Sequence, residues 1–196
     1  MYNPAKPILA DAVYFDKAFA EIGDKLSTDL TWLTNNYGRA EYIPELDDLG
    51  KVYGKTIYFP AVYVGDPKKP TEYLSMMPDE HLDNHVFFLL EDVQEINPRL
   101  GTIGNMKSEF SIIFWWDYRK VYVDHLVRSV ENVKKDILTV LLKAAFKTCT
   151  LDIKFSYVDN KNVYLNFEAD QVNRKYLMRP YGGLKLSGTI KLNTTC

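Results

Sequence analysis

Apolar residues recur with a helical period in two stretches of the chain and with a strand period in several others. Phe15, Phe19, Ile22, Leu26 and Leu33 form one stripe, at spacings of four, three, four and seven. The stripe predicts a long helix over about 11–35, capped by Asp11 and stopped by Asn35-Asn36-Tyr37-Gly38. A second stripe joins Leu126, Val127, Val130, Val133, Ile137, Val140, Leu141 and Ala144. It predicts a second long helix that opens at Val121 or Asp124 and ends near Phe146. Arg128, Glu131, Lys134, Lys135 and Asp136 fill its other side.

Strand patterns lie between and after these helices. Residues 55–64 are rich in β-formers, but Pro60 sits in their middle and can donate no ladder bond. An edge strand or a bulge is expected there. Residues 85–93 and 107–118 are apolar runs. Leu151, Ile153, Phe155 and Tyr157 alternate with polar residues, and so do Leu184, Leu186, Ile190 and Leu192 near the end. Residues 163–178 read equally as a short strand or a short helix. The first ten residues carry two prolines and no period, so 1–10 is expected to be an arm. Residues 11–196 are then a single domain with long loops at about 36–54 and 65–82. The element order predicts an α+β fold, with two long amphipathic helices packed on one face of a mostly antiparallel sheet of about five strands.

Composition narrows the function. At 196 residues the chain can bury a core without disulfides or metals. A net charge of −2 argues against a nucleic-acid binder driven by phosphate attraction. The longest apolar runs, 86–90 and 112–116, are too short to span a bilayer, so no membrane partner is expected. The opening residues lack the apolar stretch of a signal peptide, which points to synthesis in a cytoplasm. Cys149 and Cys196 form no CxxC pair and are expected as free thiols. Aromatics make up 14% of the chain, a richness that suits strands and contact surfaces.

A search for chemistry returns little. Neither GxxxxGK[ST] nor GxGxxG occurs, and Gly101-Thr102-Ile103-Gly104 precedes a strand, so it has no helix N-terminus to hold phosphate. His81 and His85 have the four-residue spacing of a zinc-binding helix, but Leu82 stands where that pattern needs Glu. No GxSxG elbow is present, and Cys149 follows a helix end, where no dipole activates a thiol. The pairs Asp47-Asp48, Asp79-Glu80 and Glu91-Asp92 read as solvated surface. No catalytic residue, cofactor or metal is expected, and an enzyme is the minority reading, with its pocket around His81 and His85.

Charge is segregated along the chain. Residues 70–98 hold seven carboxylates and no Lys or Arg, whereas 171–196 hold five cations and no carboxylate. Glu91, Asp92 and Glu95 on one side and Arg174, Lys175 and Arg179 on the other are candidate subunit-interface charges. The acidic stretch of one copy would meet the basic stretch of the next, and such a heterologous contact closes into a ring when the rotation fits.

The stretch Tyr176-Leu-Met-Arg-Pro-Tyr-Gly-Gly and the alternating strand after it resemble the ending of tailed-bacteriophage neck and tail-completion proteins, the tail-terminator-like ring proteins. The order of helices and strands is similar to theirs over most of the chain. The Tyr-, Asn- and Lys-rich composition resembles proteins of crAss-like phages of Bacteroidetes. The resemblance implies a tail-terminator-like fold and a structural virion protein assembled in the bacterial host cytoplasm. About six or twelve copies would form a ring at the head–tail junction. Portal or adaptor ring proteins and tail proteins would be its neighbours, and double-stranded DNA would pass through its lumen without being read. The alternative is a small non-enzymatic protein-binding module or accessory protein of phage or host origin.

Overall fold

The computed structural model describes residues 14–44, 58–63, 73–79, 81–96, 106–158, 160–164 and 174–193. The expected arm at 1–10, the helix cap Asp11, the Gly101–Gly104 loop and Cys196 lie outside these residues.

Two long strands form the centre. β5 (His85–Ile96) and β6 (Met106–Asp117) pair antiparallel, from His85 opposite Trp115 to Ile96 opposite Met106. β8 (Tyr181–Leu192) pairs with β6, and β7 (Cys149–Tyr157) pairs with β8 at one edge, both antiparallel. At the other edge β1 (Asn35–Arg39) runs parallel to β5. The sheet is therefore mixed, in the order β1-β5-β6-β8-β7. β2 (Glu41–Pro44), β3 (Tyr58–Tyr63) and β4 (Tyr73–Ser75) form a second, three-stranded antiparallel sheet.

The side chains of β5 and β6 are buried on both faces. Val86, Phe88, Phe110, Ile112, Phe114 and Trp116 face a helix layer of α1 (Tyr14–Asp29) and α3 (Val130–Lys143). Phe19 of α1 stacks on Phe88 at 4.8 Å. On the opposite face Phe87, Leu89, Ile113 and Trp115 pack under Val62 and Met76 of the second-sheet region, with Tyr37, Leu82, Val163, Tyr164 and Tyr176.

This architecture overturns the expected fold class. Among the described residues strand outweighs helix, 43% to 33%, and they form a five-strand mixed sheet with a second sheet, not two long helices on one sheet. The first helix ends at Asp29, and Asn35–Arg39 form a strand where a helix stop was expected. Leu33 continues the apolar period and is buried, but from the turn after the helix. The second helix begins only at Val130, behind a Ser129 cap, because residues 118–127 divide into α2 (Tyr118–Val121) and one turn of 3-10 helix. Leu126 and Val127 fit the helical period and are exposed.

The Pro60 strand is not at an edge: β3 lies between β2 and β4. Pro60 is tolerated because its nitrogen falls at the end of β4. Met76 N–H donates to the Pro60 carbonyl at 2.7 Å, and only the reciprocal bond is lost.

β7 carries a bulge between Ile153 and Phe155, opposite Gly188 and Ser187 of β8. A Cβ on Gly188 would lie 2.0 Å from the Asp152 carbonyl oxygen. Gly188→Ala should therefore push β7 off β8 and cost about 2–3 kcal/mol. Urea denaturation of the variant measures this, and a midpoint equal to that of the wild type would show that the bulge relaxes freely.

Candidate functional site

The end of the sheet where β5 begins and β6 finishes concentrates the polar chemistry. Asn84 is fully buried just before β5. Its Nδ2 donates to the Trp32 carbonyl at 2.9 Å, and its Oδ1 accepts from Asp117 N–H at 2.8 Å. Its own carbonyl accepts from Thr34 N–H, Thr34 Oγ1 and Asn35 N–H. One residue thus ties the turn after α1, the start of β1 and the end of β6 together, through its side-chain amide and its backbone carbonyl.

Asp117 caps α2 and receives the guanidinium of Arg119 through Nε at 3.0 Å and a terminal nitrogen at 2.6 Å. Burial pushes the Asp117 carboxyl up. The hydrogen bonds and charge of Arg119 outweigh that and hold it below the usual carboxylate range. Lys120 Nζ lies 2.7 Å from Asp83.

His85 opens β5 with no exposed surface. Its ring stacks on Trp115 and Phe87 and meets Tyr37 edge-on. Nδ1 lies 2.9 Å from the Asp83 carbonyl, which makes it the protonated nitrogen. Nε2 is buried without a hydrogen bond. Burial lowers the imidazole pKa to about 4. The Asp83 and Met76 backbones and the charges of Asp79 and Asp83 recover only part of that loss. The ring is a neutral part of the core. His81, by contrast, is exposed. Among the described residues no group of His, Cys, Asp or Glu is arranged to hold a metal ion. Cys149 is a buried thiol that burial pushes up to about 11.

The aromatic residues of this end carry cations. Tyr181 stacks on Trp115 at 5.0 Å, and Tyr176 meets both edge-on. The Arg119 guanidinium lies 5.7 Å from the Tyr181 ring centre, and Lys175 Nζ lies 4.6 Å from that of Tyr176. Arg174 and Lys175 belong to a 3-10 helix at Arg174–Leu177, and exposed Arg179 follows it. This segment is fastened to the same end. Trp115 Nε1 donates to the Tyr176 carbonyl at 3.2 Å, and Tyr118 N–H donates to the Pro180 carbonyl at 2.9 Å.

The acidic candidates sit elsewhere. Glu95 is opposite Lys107 near the start of β6. Glu91 and Asp92 lie in the irregular stretch of β5 between Leu90 and Gln94. Ten residues of β6 separate Lys107 from Asp117, about 33 Å of strand. Glu95 therefore sits at the far end of the central strands from the cationic segment, Glu91 and Asp92 sit midway along β5, and the backbone positions of all three are well separated from 174–179. Neither Asn84 nor the Asp117–Arg119 pair was visible in the sequence as a site. Asn84 is a single amide, and Asp-x-Arg is an ordinary surface pattern.

No protein-family model matches the chain, and no curated protein is significantly similar to it. No helix among the described residues is long and apolar enough to cross a membrane.

The neutral core histidine gives a pH dependence of defined sign. Its folded pKa of about 4 lies below the ordinary value of 6.5, so the unfolded chain binds the extra proton between them. Stability from this group is complete above pH 6.5 and declines as pH falls toward 4, by about 3 kcal/mol in all. The difference in urea midpoint between wild type and His85→Leu, followed from pH 7.5 to 4.5, isolates this contribution. A difference that does not change with pH would overturn it.

Proposed function

We propose that the chain is a non-enzymatic structural subunit that joins copies of itself head to tail. One observation carries this reading. The cationic segment 174–179 is fastened to one end of the central strands, and positions 91–95 pair with the opposite half of β6, about 23–33 Å along the strand. Such polarity does nothing for a monomer's own stability. Between copies it fixes orientation, because like ends repel and unlike ends attract. A contact between different surfaces propagates into a ring or a filament.

A closed ring is the assembly we propose, in the setting to which the Tyr176–Gly183 ending pointed. That setting is the head–tail junction of a tailed phage, with portal or adaptor and tail proteins as neighbours and DNA passing through the lumen. The phage setting rests on the sequence resemblance, and the head-to-tail polarity rests on the placement of the charges.

Native mass spectrometry at low and moderate salt tests the reading. Wild type should form closed oligomers that weaken as salt rises. Charge reversal of Arg174, Lys175 and Arg179 to Glu should weaken assembly at least tenfold, because like charges would then face each other across the contact. Assembly that responds neither to salt nor to the reversal would remove the charge register.

A further inference from the structure

Independently of the head-to-tail reading, we propose that the groove across β6, β8 and β7, on the face away from the helices, binds one neutral hexopyranose unit of a glycan. The C–H face of the sugar lies against Phe155, and its hydroxyls point toward Ser111, Ser187 and Glu109.

The β7 bulge creates the aromatic wall. Leu151 and Ile153 pack toward the helix layer, and unbroken alternation would send Phe155 there too. The bulge shifts the alternation by one residue. Phe155 and Tyr157 therefore stand beside Ser187 and Lys185 on the other face, while Ser156 turns back toward α3 and accepts from Lys134. Phe155 is left 60% exposed. The strand thus departs from regular pairing to hold a large apolar ring in water, where burial would have been favourable.

The floor and the far wall are polar. Ser111, Ser187 and Phe155 form one row across three strands, and Glu109 and Thr189 are partners in the next row. The first row spans about 10 Å, and the two rows lie about 7 Å apart. The hydroxyls of Ser111 and Ser187 share one hydrogen bond at 2.9 Å. One of their two protons and several lone pairs are left over for a ligand. The side chains of Glu109 and Thr189 and the Tyr157 hydroxyl have no partner among the described residues, and all three line the groove.

Volume and chemistry select the ligand. The groove holds about 140 Å³, and a cavity of about 150 Å³ admits one six-membered ring. An anion is disfavoured, because neither lysine at the rim is a free cation. Lys154 lies 3.9 Å from Asp152, and Lys185 is 8% exposed and already engaged. A cation would approach both lysines with Glu109 alone to offset them. An apolar ring would stack on Phe155 but strip water from the serine pair and Glu109 without replacing its hydrogen bonds. A hexopyranose meets both demands. Its C–H groups bring partial positive charge to the negative face of the aromatic ring. Its hydroxyls donate to the Glu109 carboxylate and both donate to and accept from the serine pair.

Saturation-transfer NMR titrations of the full chain test the site. The probes are the methyl glycosides of glucose, galactose, mannose and N-acetylglucosamine, with phenol and inorganic phosphate beside them. At least one glycoside should bind with a Kd of about 1 mM, the strength expected of so small a ligand. Phe155→Ala should weaken that binding by about fivefold or more, and Phe155→Trp should retain it. Glu109→Gln and Ser187→Ala should each weaken it by about threefold or more. They carry the test should Phe155→Ala fail to fold by circular dichroism and urea midpoint. No binding of any glycoside up to about 50 mM overturns the proposal. So does a glycoside bound equally well by wild type and by the folded Phe155, Glu109 and Ser187 variants. Phenol or phosphate bound in the groove more tightly than every glycoside overturns the ligand class. Reversal of Arg174, Lys175 and Arg179 should leave glycoside binding unchanged, which separates failure of this site from failure of the head-to-tail reading.

Discussion

β5 and β6 must be covered on both faces, and most of the architecture follows from that constraint. Phe87, Leu89, Ile113 and Trp115 face away from the helices and are buried as fully as the side chains that face them. Leaving four such side chains in water would forfeit roughly 6–12 kcal/mol, comparable to the whole stability of a domain this size. A helix layer alone cannot satisfy the pair. The second sheet, Tyr164 and Tyr176 close the other side, and the fold becomes a sandwich of unlike layers around one mixed sheet.

The same constraint explains what was legible in the sequence. The four long strands lie where apolar runs or alternation placed them, within a few residues. Their covering was not read correctly. Val86–Leu90 and Ile112–Trp116 are continuous apolar runs rather than alternations, which is the mark of strands buried on two faces. A one-sided helix layer does not account for them. The short strands escaped for other reasons. Asn35–Arg39 reads as a helix stop because Asn and Gly favour turns, yet the chain extends there because the buried Asn84 carbonyl takes the amides of Thr34 and Asn35. Leu126 and Val127 keep a helical period by coincidence with the stripe that begins at Val130. Only the Ser129 cap marks the true start. For the candidate site, the sequence displayed segregated charge but not its geometry. That residues 91–95 pair with the half of β6 away from the cationic segment depends on register, which no local pattern encodes.

The polar groups at the Asp117 end connect the fold to the proposed assembly. Asn84 joins the helix layer to β6, His85 fills the seam between the two sheets, and Asp117 orients Arg119 against Tyr181. Each is buried or held by partners, so the end of the sheet that carries the cationic segment is tied down by several independent contacts. Rigidity matters for a subunit that must meet its neighbour at a fixed angle. Small angular errors prevent a ring from closing, and long surface side chains alone set angles poorly because each loses rotamer freedom on contact.

The bulge in β7 is where these demands meet. β7 is an edge strand, and an unmodified edge invites pairing with any other exposed strand. The bulge, with Asp152 and Lys154 flanking its start, interrupts the regular row of donors and acceptors such pairing needs. By the same one-residue shift it turns Phe155 and Tyr157 out onto the polar face. An aromatic wall there requires a partner with a defined shape, whereas a free edge accepts almost any extended chain. A single irregularity, made possible by the missing side chain of Gly188, thus disfavours indiscriminate association and leaves a selective surface in its place.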